Sequence, residues 1–126
     1  MEVSFSKFEK YHQDYVVMLI KEGNFYSCYL EDAYVMNYLF SFKLIYSNHL
    51  VKISFSKVIL DRIRRILELR NCSYSILSEQ LIHFYLPHNQ YLKYLEQENY
   101  QKDKLLSSLS KLSYLELLSI TQDSFK

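Results

Sequence analysis

Side chains that commonly carry out enzymatic chemistry are scattered along this chain of 126 residues. No two of its four histidines, at positions 12, 49, 83 and 88, stand three or four residues apart, as paired metal ligands on a helix would. Cys28 and Cys72 lack a CxxC partner, so we predict reduced, structural thiols. Glu31 and Asp32 stand where a helix begins, which favours helix capping over metal-dependent catalysis. We therefore predict no enzyme, no metal site and no cofactor.

The four arginines cluster in and beside one predicted helix, residues 57–69, where apolar residues recur at helical spacing. The side opposite that apolar stripe carries the predicted phosphate contacts Lys57, Arg64 and Arg65. A guanidinium suits this role because it donates two parallel hydrogen bonds to a phosphate. Lys52, on a neighbouring predicted strand, would extend the basic strip. Asp61 and Glu68 would instead pair with these cations on an ordinary solvated face, and both interpretations stay open.

The composition favours a folded domain with no general electrostatic attraction to nucleic acid or membranes. The chain contains 13 Tyr and 8 Phe, and its formal net charge is +1. One glycine, Gly23, rules out the glycine-rich phosphate loops GxGxxG and GxxxxGK[ST]. No apolar run approaches the roughly 20 residues that span a bilayer, and the start does not resemble a signal peptide. We therefore expect a cytoplasmic protein with no membrane contact.

The spacing of apolar residues predicts the order β-β-α-β-β-α-β, after a helical lead-in over 5–11. The predicted strands and helices are a buried strand over 15–20, a strand over 25–29, a helix from Glu31, a hairpin of 43–46 and 51–55, the helix over 57–69 and a strand over 74–77. Asn71 would end the second helix in a left-handed cap. This pattern predicts an α/β (α+β) domain over residues 1–84, with a mixed β-sheet flanked by helices.

Pro87 marks a predicted boundary, beyond which residues 87–126 would form a helical hairpin with its turn at 99–101. Its longer helix carries an apolar series that would contact a second copy or a helical protein partner, namely Leu105, Leu109, Leu112, Leu115 and Leu118. This spacing lasts for about two heptads, too short to indicate a coiled coil.

Residues 9–80 resemble the amino-terminal domain, domain I, of the mismatch-repair protein MutS. The resemblance rests on the strand Val17–Ile20 running into Gly23-Asn24-Phe25-Tyr26, and on Asp32-Ala33 at the head of a helix. The later helix, the strand 74–77 and Gln80 follow in the family's order. The resemblance implies a MutS domain I-like fold with Phe25 as the residue that stacks on a mispaired base.

Ser27 departs from the family pattern, because it takes the place of a glutamate that hydrogen-bonds the mispaired base. A serine side chain is too short to reach a base edge as glutamate does. Residues 52–55 also differ from the Gly-hydrophobic-Pro element typical of the family. We expect the chain to end after this domain, without the ATPase that MutS needs for repair.

Two functions remain open from the sequence. The first is a non-catalytic protein that binds distorted or unpaired DNA or RNA through Phe25, Ser27 and the basic residues Lys52, Lys57, Arg64 and Arg65. The alternative is a protein-interaction or assembly module that keeps the fold without binding DNA. Exposure of Phe25 at the rim of a basic surface would favour the first function, and its burial the second.

Overall fold

A computed structural model describes residues 2–110 of the protein, with the side chains of residues 4–106. Its elements in chain order are α1 (Glu2–Tyr11), β1 (Val17–Glu22), β2 (Phe25–Tyr29), α2 (Glu31–Phe40), β3 (Ile45–Ser47), β4 (Leu50–Ser56), α3 (Leu60–Leu69), β5 (Tyr74–Leu77), β6 (Leu81–Phe84), α4 (Tyr91–Leu95) and α5 (Glu98–Ser110). A short 3-10 turn, Lys57–Ile59, leads into α3. The predicted helix over 57–69 therefore consists of this turn and α3.

Six strands form one sheet in the order β3-β4-β2-β1-β5-β6. β1 and β5 run parallel, and the other neighbouring strands run antiparallel. This mixed sheet with helices confirms the predicted α/β (α+β) fold class. β6 was not predicted, and it pairs with β5 at one edge of the sheet.

Both faces of the sheet are covered near its centre. Val17, Met18, Leu19 and Ile20 of β1 are almost completely buried, which confirms a strand enclosed on both sides. The predicted start at residue 15 is wrong, because Tyr15 is exposed, has positive φ and lies before β1. On one face, Phe8 of α1 packs in a cluster with the side chains of alternate β1 residues. On the other face, residues of α2, α3 and α4 enclose the larger core cluster. The period-2 alternation of a strand explains how β1 serves both clusters.

β4 shows the alternation that the sequence predicted. Val51, Ile53 and Phe55 are buried, while the side chains between them are partly exposed. Tyr26 on the neighbouring strand β2 stacks on Phe55, with ring centroids 5.8 Å apart. The prediction that Tyr26 points into the core is therefore confirmed.

Turns in this chain rely on asparagine and histidine more than on glycine. Asn48 and His49 both have positive φ, at 51° and 65°, as a two-residue type I′ hairpin requires. Asn71 ends α3 with φ 53°. The amide of Asn71 donates to the Glu68 carbonyl and the amide of Cys72 to the Leu67 carbonyl, the two bonds of a Schellman motif. The predicted left-handed cap at Asn71 is confirmed.

The segment after β6 folds back onto α2. α4 ends at Leu95 and α5 begins at Glu98, so the predicted turn at 99–101 is wrong, because those residues lie inside α5. Tyr91, Tyr94 and Leu95 of α4 join the larger core cluster. The division into 1–84 and 87–126 stays a prediction. Of the leucines predicted to contact a partner, Leu105 is exposed and the backbone of Leu109 lies in α5. Leu112, Leu115 and Leu118 lie outside the described residues.

Candidate nucleic-acid interface

The β1–β2 turn projects Phe25 from one end of the sheet. Gly23 adopts φ 61°, a conformation that glycine takes without a steric penalty. The Phe25 side chain is 53% exposed, whereas the next four residues of β2 are buried. This exposure leaves a flat apolar ring in water at the start of an otherwise buried strand.

The turn after β4 lies beside Phe25. Phe25 is the cross-strand partner of Ser56, and the amide of Lys57 donates to the Asn24 carbonyl at 2.9 Å. Lys57 is exposed and forms no ion pair with any described residue. Val58 follows with its side chain 83% exposed. We call this group of four residues, Asn24, Phe25, Lys57 and Val58, the tip.

A polar cluster lies on the sheet face that also carries Phe25. The Ser27 hydroxyl is 2.8 Å from the Ser54 hydroxyl, and Ser27 is 1% exposed. Ser27, predicted as a nucleic-acid contact, is therefore enclosed in the protein in this conformation. Lys52, predicted as a phosphate contact, lies 3.9 Å from a carboxylate oxygen of Glu22 with its side chain 18% exposed. Both side chains already have partners within the sheet.

Glu22 is the residue at this face that sequence reasoning did not find. It is the cross-strand partner of Phe25 and accepts a hydrogen bond from the Tyr29 hydroxyl at 3.1 Å. Burial by itself would raise the pKa of Glu22, but the Ser27 hydroxyl, the Lys52 ammonium and Tyr29 together lower it. A carboxylate beside Phe25 therefore stays ionised. Strand register brings Glu22 and Phe25 together, and the turn at Gly23 was the sequence signal for this pairing.

The match to known families covers this whole region. Residues 1–80 match the family model described as MutS domain I, which spans more than half of the chain. The chain belongs to the MutS domain I family. MutS domain I is a non-catalytic recognition domain. A comparison with curated proteins gave no match.

Within this MutS domain I, the predicted phosphate contacts do not all lie at the tip. Lys57 lies in the 3-10 turn beside Phe25, whereas Arg64 and Arg65 lie on α3. The guanidinium of Arg64 lies 4.8 Å from the ring centroid of Phe84, and its Nε donates to the Tyr74 hydroxyl at 3.1 Å. Tyr74 pairs with Val17, at the end of the sheet opposite the tip. Arg65 is exposed and has no hydrogen-bond or ion-pair partner among the described residues. The structure therefore brings Phe25 and Lys57 together and holds Arg64 elsewhere.

Asp32 has a different role from the capping that the sequence predicted. Its carboxylate accepts hydrogen bonds from the Met18 amide at 2.8 Å and from the Tyr91 hydroxyl at 2.6 Å. No side chain caps the start of α2. Asp32 is 4% exposed and thus ties α2 to β1 and α4 from within the core. Glu31 and Asp32 do lie in the first turn of α2, where the sequence predicted acidic residues, but the Asp32 side chain turns inward to partners outside the helix instead of capping it.

Both cysteines and the serine nearest to a histidine are buried. Cys28 and Cys72 are free and buried, and burial raises the pKa of Cys72 to about 12. The Ser75 hydroxyl lies 2.7 Å from Nδ1 of His83, but Ser75 is 1% exposed and shielded from any substrate. Among residues 2–110, no three His, Cys, Asp or Glu side chains come together as a metal site would require.

A cavity of about 390 Å³ opens between α1, the start of α2 and α4. Phe8, Tyr15, Asp32 and Tyr91 are among its lining residues, and none of the tip residues lines it.

None of the helices in the described part of the chain is long and apolar enough to cross a membrane.

Proposed function

We propose that this MutS domain I binds nucleic acid through the tip, with Phe25 stacking on an unpaired or distorted base. The exposure of Phe25 at the start of a buried strand carries the proposal. An aromatic ring replaces the stacking that a displaced base loses, and flexible or mispaired steps open at the lowest cost. Membership of the MutS domain I family supports the same role, because the resemblance in sequence implies that Phe25 is the stacking residue.

In this proposal Lys57 is the main phosphate contact, and Arg65 is a second one. Both side chains are exposed, and Lys57 stands beside the turn that carries Phe25. Lysine and arginine contacts to phosphate position a protein on nucleic acid without reading its sequence. Lys52 and Arg64 are held by Glu22 and Phe84, the partners that they already have, and are assigned no phosphate contact.

Base identity contributes little to this proposed binding. In the family the residue two positions after the phenylalanine reads the mispaired base, and here Ser27 is buried and paired with Ser54. The side chain that remains at the surface is the ring of Phe25, which can stack on any base. We therefore propose a non-catalytic module that recognises an opened step by its shape.

The test is a fluorescence-anisotropy titration of a labelled DNA duplex that contains one unpaired nucleotide. Phe25→Ala is expected to weaken binding by about 1–3 kcal/mol, the usual contribution of a base stacked on an aromatic side chain. Tyr85→Ala is the matched control, because Tyr85 is also exposed and follows β6, away from the tip. It should bind like the unmodified protein.

Salt provides a second measure in the same titration. Removing one phosphate interaction should reduce the slope of log K against log salt by about 0.9 on duplex DNA, so Lys57→Gln is expected to flatten the slope by about that amount. Absence of binding would refute the proposed function, and so would binding that is insensitive to salt and unchanged in Phe25→Ala.

A protein-interaction or assembly module is the second candidate, favoured by exposed leucines near the end of the described chain. Leu105 is 62% exposed and Leu106 is 54% exposed on α5. Contiguous apolar patches on a surface mark contacts with other proteins, and these two leucines would form part of such a patch. Light scattering would test this, because Leu105→Asp should dissociate an assembly that the unmodified chain forms. A monomer at all concentrations would remove the evidence for a self-assembly role.

A further inference from the structure

Val58 stands out on the tip as an aliphatic side chain held in water. It is 83% exposed, more than Phe25 at 53%. A single exposed apolar residue is ordinary, but here two of them project from adjoining turns. The residues on either side of the pair include the exposed cation Lys57 and the polar Asn24.

The backbone fixes the position of Val58 relative to Phe25. Ser56 pairs with Phe25 across the strands, and the Lys57 amide is bonded to the Asn24 carbonyl. The Val58 amide donates to the Ser56 hydroxyl at 3.3 Å, which caps the turn. Both residues are thus carried on hydrogen-bonded turns at one end of the sheet.

We propose that Val58 is a specificity-determining residue that favours opened duplexes over single strands, an inference that rests on the proposed function of the tip. Aromatic and aliphatic side chains differ in what they gain from nucleic acid. A ring stacks on a base in either a single strand or a duplex. An aliphatic side chain gains most as a wedge inside an opened step, where the base pairs on both sides shield it from water.

Phe25 and Val58 therefore have different roles in recognition. Phe25 provides stacking on any accessible base, and Val58 occupies the space opened beside that base in a duplex. Lys57 lies between them in the chain order of the tip and is placed to contact the backbone phosphate next to the opened step. The preferred ligand is a duplex with a locally unstacked step, whatever base is displaced.

Two probes distinguish this role from non-specific apolar binding by the tip. They are a labelled duplex with one unpaired nucleotide and the same labelled strand alone. Val58→Thr keeps the branched shape but replaces one of the two methyl groups with a hydroxyl, and the high exposure of the side chain leaves the fold undisturbed. We expect it to weaken duplex binding about tenfold and to leave single-strand binding within about twofold. Ile82→Thr, an exposed β-branched residue on β6, is the matched control and should change neither.

The outcomes separate the two proposals. If the unmodified protein binds neither probe, or Phe25→Ala changes nothing, the proposed function fails and the role of Val58 fails with it. If Phe25→Ala weakens binding while Val58→Thr weakens both probes equally or neither, the stacking function stands and the role of Val58 is overturned. Weakening confined to the duplex in Val58→Thr supports the inference.

Discussion

Asp32 is a buried carboxylate without a cationic partner among the described residues. Two donors, the Met18 amide and the Tyr91 hydroxyl, satisfy its oxygens. Burial raises the pKa of Asp32 to about 7, although these hydrogen bonds favour the ionised form. In an unfolded chain the pKa of an aspartate is about 3.9. The folded protein therefore retains this proton over a range of pH in which the unfolded chain has released it.

This difference predicts how stability depends on pH. The contribution of Asp32 to the free energy of unfolding is full below about pH 4 and disappears as the pH rises through about 7. Asp32→Asn removes the titrating group, so its urea-unfolding free energy should vary less over that window. Asp61→Asn, an exposed carboxylate on α3, is the control and should keep the dependence of the unmodified protein. Parallel curves for all three proteins would contradict the prediction.

The sequence correctly predicted that Tyr26 points into the core and that Phe25 points to the other face. Alternation along a strand depends on local chain geometry alone. Sequence reasoning did not find Glu22 or the internal partners of Lys52 and Arg64. Those contacts depend on which strands become neighbours and on β6, which supplies Phe84 beneath Arg64. Side-chain partners that come from distant parts of the chain leave little trace in local spacing.

At the scale of elements, a left-handed cap made by Asn71 replaces the glycine that usually ends a helix. Asn71 closes α3 with both hydrogen bonds of a Schellman motif at φ 53°. Its carbonyl also accepts the Gln90 amide at 2.8 Å and so links the end of α3 to the start of α4. The cap therefore fixes two elements at once.

Paired substitutions at Asn71 test whether the backbone conformation matters. Asn71→Ala is expected to lower the free energy of unfolding by about 1 kcal/mol, because a Cβ atom is disfavoured in the left-handed region. Asn71→Gly should be at least as stable as the unmodified protein, since glycine takes positive φ without that penalty. Urea denaturation followed by circular dichroism measures both. Equal destabilisation in the two variants would indicate that the asparagine side chain, and not φ, provides the stability.

Periodicity and turn residues predicted most elements of residues 1–80 but were less informative beyond them. β6 is a short run, Leu81–Phe84, whose strand character comes from pairing with β5. The helix break after Leu95 contains neither glycine nor proline. The break follows from the packing of α4, because its residues Tyr91, Tyr94 and Leu95 are all buried in the core cluster. Tertiary packing, and not local propensity, sets these boundaries.

For the whole molecule, the question is whether the segment after the family match folds together with it. Contacts across this junction are numerous and polar. The Tyr34 and Tyr46 hydroxyls both donate to the Asp103 carboxylate, at 2.7 and 2.6 Å. Tyr91 reaches Asp32 in the core. A segment that completes the core and satisfies a buried carboxylate should unfold with the domain.

Tyr91→Phe tests this coupling, because it removes one donor from buried Asp32 and should cost about 1–3 kcal/mol. Hydrogen exchange is the measurement, since it reports the opening free energy of each amide separately. If the molecule is one cooperative unit, the protection of the most protected amides of β1 and of α4 should fall by similar amounts. Tyr100→Phe, whose hydroxyl meets Glu31 at the surface at 3.3 Å, is the control and should have a small effect. A fall in protection confined to α4 would instead show that residues beyond the family match form a separately unfolding appendage, as the sequence boundary at Pro87 predicts.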